Sequence, residues 1–160
     1  DGLFSRVCSE VAKSYSDIQF DQMYVDACAM NLIRRPETFD VMVTTNLFGD
    51  ILSDESSEVV GGLGMAPAAN IGDNFALFEP VHGAAFDIAG KNIANPSSFI
   101  LSVKMMLDWL GTKHGDGRCF DIAEKLESTV HQVVKEGIKT KDIGGDKSTM
   151  DFTKEITSRL

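Results

Sequence analysis

The stretch FDVMVTT, Phe39 to Thr45, runs without a break into NLFGDILSDESSEVV and constrains the fold more than any other part of the chain. Its first part is a compact, β-rich run of the kind that fills a buried parallel strand. The second part spaces Leu47, Phe48, Ile51, Leu52, Val59 and Val60 as the apolar faces of a helix. A strand feeding directly into a helix predicts an α/β fold, a parallel or mixed sheet flanked by helices. The preceding residues extend the pattern. Leu3, Val7, Val11 and Ala12 recur at helical spacing, Ile18 to Val25 has the alternation of a short strand, and Asp26 to Arg35 reads as a helix stopped by Pro36.

Beyond Val60 the texture changes. GGLGMAPAANIGDN is rich in Gly, Pro and Asn and predicts a long irregular segment, suited to a domain crossing or a ligand loop. FALFEPV is a short strand candidate, and HGAAFDIAGKNIANP is a loop of small residues that lets backbone approach a ligand. Helices are expected over Ser97 to Leu110 and Cys119 to Glu136 with GTKHGDG between them. DIGGDKST reads as a turn, with Ser148 or Thr149 capping a last helix to Leu160.

A chain of 160 residues that is 43% hydrophobic can bury a substantial core. Its 15 basic against 24 acidic residues give a formal net charge of -9, which argues against nucleic acid or an anionic membrane as partner. Cys8, Cys28 and Cys119 are far apart and form no CxxC pattern, so neither a disulfide scaffold nor a structural zinc site is expected. No apolar run reaches the roughly 18–20 residues of a membrane span and no signal-peptide layout is present, so a cytoplasmic protein is expected. The chain opens at Asp1 without an initiator methionine, which fits a piece of a longer protein.

Asp50, Asp54 and Glu58 stand four residues apart, along one face of the expected helix. Like charges at that spacing cost an isolated helix about 0.2–0.5 kcal/mol per pair. Two readings remain open: a solvated face, or a divalent-cation site, since carboxylates at i and i+4 converge and hard cations favour carboxylate oxygen. A single pair is incomplete, so a third acid or a bound substrate must contribute. Asp26 is a candidate third acid, and an equally good helix N-cap. His82 is either structural or functional, and Asp87 either accepts from sugar hydroxyls or forms an Asx-type turn. There is no GxGxxG, so a standard Rossmann phosphate loop is not supported.

Taken together, YVDACAMNLIRRPETFDVMVTTNLFGDILSDESSEVVGGLGMAPAANIG and ALFEPVHGAAFDIAGKNIANP resemble the metal-dependent β-decarboxylating dehydrogenases that act on 3-isopropylmalate, isocitrate, homoisocitrate, 3-methylmalate or tartrate. The resemblance extends from DGLF to DIGGDKST and implies the C-terminal half of the isopropylmalate/isocitrate dehydrogenase-like fold. Residues 1–60 would then belong to the smaller, dimer-forming domain and 61–160 to the larger, nucleotide-binding one. Asp26, Asp50 and Asp54 match the family's Mg²⁺ or Mn²⁺ ligands, with Asp26 reaching the metal and substrate of the neighbouring subunit, so the active sites of a homodimer are shared. His82, Gly83, Ala84, Ala85, Phe86, Asp87, Ile88 and Asn95 match the loop that holds the adenosine half of the dinucleotide. The acid at Asp87 matches the residue that pairs with the ribose hydroxyls, which implies NAD rather than NADP.

The implied reaction is oxidation of a 2-hydroxy acid with loss of its β-carboxylate as CO₂. The Ala-Ala-Phe form of the loop resembles archaeal isopropylmalate-type enzymes and leans the substrate to 3-isopropylmalate, of leucine biosynthesis, with isocitrate, homoisocitrate and 3-methylmalate as alternatives. HGAAFDIAGK departs from the more common HGSAPDIAGK, and SDESSE replaces an Ala-rich run. The family's substrate-binding arginines and its catalytic tyrosine and lysine lie upstream of DGLF, so this chain is expected to be incomplete for catalysis. A reading of another class is a non-catalytic dinucleotide- or metal-binding module or a regulatory subunit; retention of all three aspartates argues against it.

Overall fold

The computed structural model describes residues 2–160; Asp1, the first residue of DGLF and of the expected 1–60 domain, lies outside the described residues. The chain divides into a first unit ending at Leu52 and a second, Ser53–Leu160. Among the described residues no helix is long and apolar enough to cross a membrane.

The first unit is built from helix α1 (Gly2–Ala12), helix α2 (Val25–Arg34), a 3-10 turn Pro36–Thr38 and the start of helix α3 (Asn46–Val59). Cys28 and Leu32 of α2 bury against Leu52, with Val25, Ala29 and Phe39 around them. Pro36 ends α2 as its ring requires. Two strand expectations fail here. Residues 18–24 form turns and irregular chain, and residues 39–45 carry no ladder bonds, although the latter has the composition of a buried strand. Apolar composition does not make a strand without a neighbour to accept its backbone hydrogen bonds. Among the described residues none is supplied, and Val41 stands 87% exposed and Val43 70%.

The second unit holds the one sheet found among the described residues, the antiparallel hairpin of β1 (Pro67–Ile71) and β2 (Ala76–Pro80), paired from Pro67 opposite Pro80 to Ile71 opposite Ala76. Its turn is closed by Gly72 N–H donating to Phe75 O at 2.9 Å. The α/β class holds, but the sheet is an antiparallel pair where a parallel or mixed one was expected. β1 lies inside the segment expected to be irregular: PAANI has poor intrinsic strand propensity, and pairing with β2 overrides it.

Helix α4 (Ser97–His114) lies on the hairpin through small polar side chains. Ser98 donates its hydroxyl to Ala66 O, Ser102 donates to Glu79 O at 2.8 Å, and Ser98 N–H donates to Gly64 O at 2.8 Å. The helix runs through GTKH, so only Gly115 and Asp116 separate it from helix α5 (Gly117–Lys135). Gly111 permits the close α4–α5 approach: a Cβ there would stand 2.9 Å from the Phe120 ring. Lys113 lies 4.4 Å above the Trp109 ring, a cation–π contact.

Asp116 caps α5 by accepting from Arg118 N–H at 3.1 Å. Hydrogen bonds from the Arg118 guanidinium and amide lower its pKa from 3.8 to about 2. A depressed carboxylate contributes stability that is complete above its unfolded pKa and is lost as pH falls through the folded one. Acidification from pH 4 towards pH 2 is therefore expected to speed amide exchange at Arg118 in the wild-type chain more than in Asp116→Ala; equal acceleration in both would refute the assignment.

Helix α6 (Thr149–Thr157) is capped by Ser148, whose Oγ accepts from Asp151 N–H at 3.1 Å. It delivers Phe152 and Ile156 into the core formed with Leu101 of α4 and Val130 and Val133 of α5. Val130 and Val133 on α5, and Phe152 and Ile156 on α6, repeat at helical spacing, so their apolar stripes close on one another around Leu101. A 3-10 turn, Lys141–Ile143, precedes α6 and doubles back through Gly144, in the left-handed region at φ 83°, to place Thr140 beside Lys147.

Candidate functional site

A cleft of about 1140 Å³ lies within the second unit. One wall is the loop from His82 to Asn95, between β2 and α4. The loop is rich in Gly and Ala, and its path depends on three left-handed positions: Ala85 (φ 43°), Gly90 (φ 73°) and Asn92 (φ 57°). Ala85 in that region is strained, and the 3-10 turn Phe86–Ile88 follows directly from it. The opposite wall is supplied by Lys141 and Asp142 and by Thr149 and Met150 at the start of α6, and the remaining side by Leu63 and Gly64.

Asn95 joins these walls. It is buried, its Oδ1 accepts from Ser97 N–H at 3.0 Å, and its Nδ2 donates to Asp142 Oδ2 at 2.9 Å. Gly64 has no side chain to intrude: a Cβ there would stand 2.8 Å from Asp142 Oδ2 and 2.9 Å from Asn95 Cβ. The side-chain amide of Asn95 is thus engaged on both ends inside the protein and holds the walls at a fixed spacing. Between them Leu63, Ile88, Ile93, Met150 and the loop alanines line a mainly apolar slot.

The structure gathers His82, Gly83, Ala84, Ala85, Ile88 and Asn95 around this cleft. His82 Nδ1 lies 3.0 Å from Gly83 O, which orients the ring along its own backbone. Phe86 and Asp87 sit on the same loop outside the lining, both exposed, Phe86 at 86%. Gly64, Asp142 and Met150 were not singled out from sequence, Asn92 was read only as part of the loop, and Thr149 only as a candidate helix cap. For Gly64 and Asp142 the sequence signals were the glycines of GGLG and DIGG, which mark turns without saying what the turns face.

The three aspartates are placed differently. Asp50 and Asp54 occupy exposed positions one turn apart on α3. Asp26 lies in the first turn of α2, where its Oδ1 accepts from Ala27 N–H at 2.8 Å; the N-cap of that helix is Tyr24. Among the described residues no three His, Cys, Asp or Glu side chains gather into a metal-holding group. The donors at 50 and 54 are hard carboxylate oxygens that suit Mg²⁺ or Mn²⁺, and as a pair they fill only part of the roughly octahedral shell such an ion requires.

Comparison with known proteins gives a consistent result. The chain matches the family described as isocitrate/isopropylmalate dehydrogenase over residues 1–158. It is 53% identical over 159 residues to a 3-isopropylmalate dehydrogenase of Archaeoglobus fulgidus, covering 99% of this chain and 47% of that protein. It is 52% identical to an isocitrate/homoisocitrate dehydrogenase of Thermus thermophilus, covering 99% of this chain and 46% of that protein. Among solved structures, the isocitrate dehydrogenase of Methylococcus capsulatus superposes with a TM-score of 0.91 at 45% identity, covering 99% of this chain and 45% of that one. The chain therefore spans about half the length of the curated relatives it matches.

Proposed function

Because the chain belongs to the isocitrate/isopropylmalate dehydrogenase family, we propose that it is the C-terminal, dinucleotide-binding part of an NAD-dependent decarboxylating dehydrogenase. The substrate is a 2-hydroxy acid bearing a β-carboxylate, and the similarity to proteins named 3-isopropylmalate dehydrogenase favours 3-isopropylmalate. Residues 1–60 belong to the smaller, dimer-forming domain and 61–160 to the larger one. The observation that carries this reading is the cleft that collects His82, Gly83, Ala84, Ala85, Ile88 and Asn95, with apolar walls of the right character for an adenine.

When bound, the dinucleotide supplies a hydride acceptor and the divalent cation supplies Lewis acidity. The chain's own residues bind and orient. The apolar walls take the base, and the bare backbone at Gly83 to Ala85 approaches the phosphates. The exposed Asp87 carboxylate at the rim accepts from the ribose hydroxyls and repels a 2′-phosphate. Asp50 and Asp54 contribute carboxylates to the cation, and Asp26 contributes from the second copy of a homodimer to both the cation and the substrate.

Calorimetric titration tests this. NAD⁺ is expected to bind the chain at least about tenfold more tightly than NADP⁺, and Asp87→Ala to abolish the difference, since one charge–charge contact near a surface is worth on the order of 1 kcal/mol or more. With 3-isopropylmalate, isocitrate or homoisocitrate, NAD⁺ and Mn²⁺, the 160-residue chain is expected to release no NADH. Absence of NAD⁺ binding overturns the dinucleotide reading, and steady NADH production overturns the division of catalytic groups.

A further inference from the structure

Three hydrogen bonds tie the cleft loop to the first turn of α6. Thr149 N–H donates to Asn92 O at 3.1 Å, Met150 N–H donates to Asn92 Oδ1 at 3.0 Å, and Thr149 Oγ1 donates to Ala94 O at 2.6 Å. A helix leaves its first amides without intrahelical acceptors. Ser148 serves one of them, at Asp151, but those of Thr149 and Met150 are served by a residue on a different loop, far away in sequence. Asn92 reaches both because it sits in the left-handed region, at φ 57°, which asparagine tolerates better than other residues with a Cβ.

The other side of α6 is fixed. Phe152 and Ile156 follow within two turns and are 0% and 1% exposed in the core. Asn92, Ala94, Thr149 and Met150 all line the cleft. The position of a Gly- and Ala-rich loop is thereby inherited from the core through α6. Ordering a loop before a ligand arrives removes that entropy from the cost of binding.

Resting on the dinucleotide reading above, we propose that Asn92 and Thr149 are positioning residues that clasp the cofactor loop to α6 and hold the cleft open at the width the dinucleotide needs. Asn92→Gly keeps the left-handed backbone and its carbonyl but deletes the Oδ1 acceptor. Thr149→Val deletes the hydroxyl at nearly constant volume, and Thr149→Ser restores it.

The test combines NAD⁺ titration, thermal unfolding and amide exchange on the 160-residue chain. Asn92→Gly and Thr149→Val are each expected to weaken NAD⁺ binding about three- to tenfold, the range of one hydrogen bond, while the unfolding midpoint moves only a few degrees. Thr149→Ser is expected to bind as the wild type does. In Asn92→Gly without nucleotide, the Met150 amide is expected to exchange at least about threefold faster. Unchanged NAD⁺ affinity in both deleting variants overturns the clasp as a positioning device, as does an affinity loss that only tracks global destabilisation. A wild-type chain that binds no NAD⁺ overturns the dinucleotide reading and this inference with it, while the exchange of Met150 still separates that failure from the absence of the clasp.

Discussion

Phe152→Ala is expected to lower the unfolding free energy of the second unit by about 3–5 kcal/mol, the usual cost of truncating a fully buried phenylalanine. The ring is 0% exposed and meets Leu101, Val130, Val133 and Ile156, so its removal opens a cavity bounded by three helices that cannot all close on it. Domains of this size are stable by only about 5–15 kcal/mol, so the loss is a large part of the whole. The effect reaches the cleft, because α6 carries Thr149 and Met150 as well as Phe152. Phe152→Leu, which keeps most of the volume, is expected to cost less than about 1.5 kcal/mol. Urea unfolding followed by Trp109 fluorescence measures both, and a loss below about 1 kcal/mol for the alanine variant would contradict the packing described.

Gly145→Ala is expected to be nearly as damaging for a different reason. A Cβ at this glycine would stand 2.0 Å from Lys139 O and 2.4 Å from its carbonyl carbon, and these are backbone atoms that cannot swing aside. Lys139 O also accepts from Lys147 N–H at 2.9 Å, and Gly145 N–H donates to Thr140 O at 2.9 Å. Relieving the clash therefore opens the turn that carries Lys141 and Asp142 and leads into α6. Overpacking of this kind costs about 1–3 kcal/mol. Here it is also expected to break the Asn95–Asp142 contact across the cleft. Gly117→Ala is the matched control, since nothing lies within 4 Å of a Cβ there and alanine is the better helix residue. If Gly145→Ala unfolds at the same urea concentration as Gly117→Ala, the turn is not as tight as described.

The helices were legible because each has its own apolar stripe. Leu126, Val130 and Val133 on α5, and Phe152 and Ile156 on α6, fall at helical spacing and are buried where that spacing predicts. A cap at Ser148 or Thr149 was legible for the same local reason, and the structure selects Ser148, whose hydroxyl needs only the amide three residues on. The strands were legible only in part: FALFEPV reads as a strand and forms β2. FDVMVTT has the composition of a strand and no partner among the described residues, whereas PAANI has the composition of a loop and pairs along its length with ALFEP. A ladder is a property of two segments, and no single window of sequence contains it.

The candidate site divides along the same line. The loop HGAAFDIAGKNIANP announced itself by composition and by resemblance, and eleven of its residues line the cleft. What the loop faces was invisible, because Gly64, Asp142, Thr149 and Met150 come from three other parts of the chain. By itself the sequence determined the helices, the Gly/Ala-rich loop and the acidic pair on α3, all set by chemistry within a few neighbouring residues. Only the tertiary structure decided that Asn95 spends its amide on Asp142, that Asn92 caps a helix more than fifty residues away, and that Gly64 must stay bare. Those choices depend on which backbone donors and acceptors remain unpaired once the core of Leu101, Val130, Val133, Phe152 and Ile156 has closed, and that is settled by packing between distant segments.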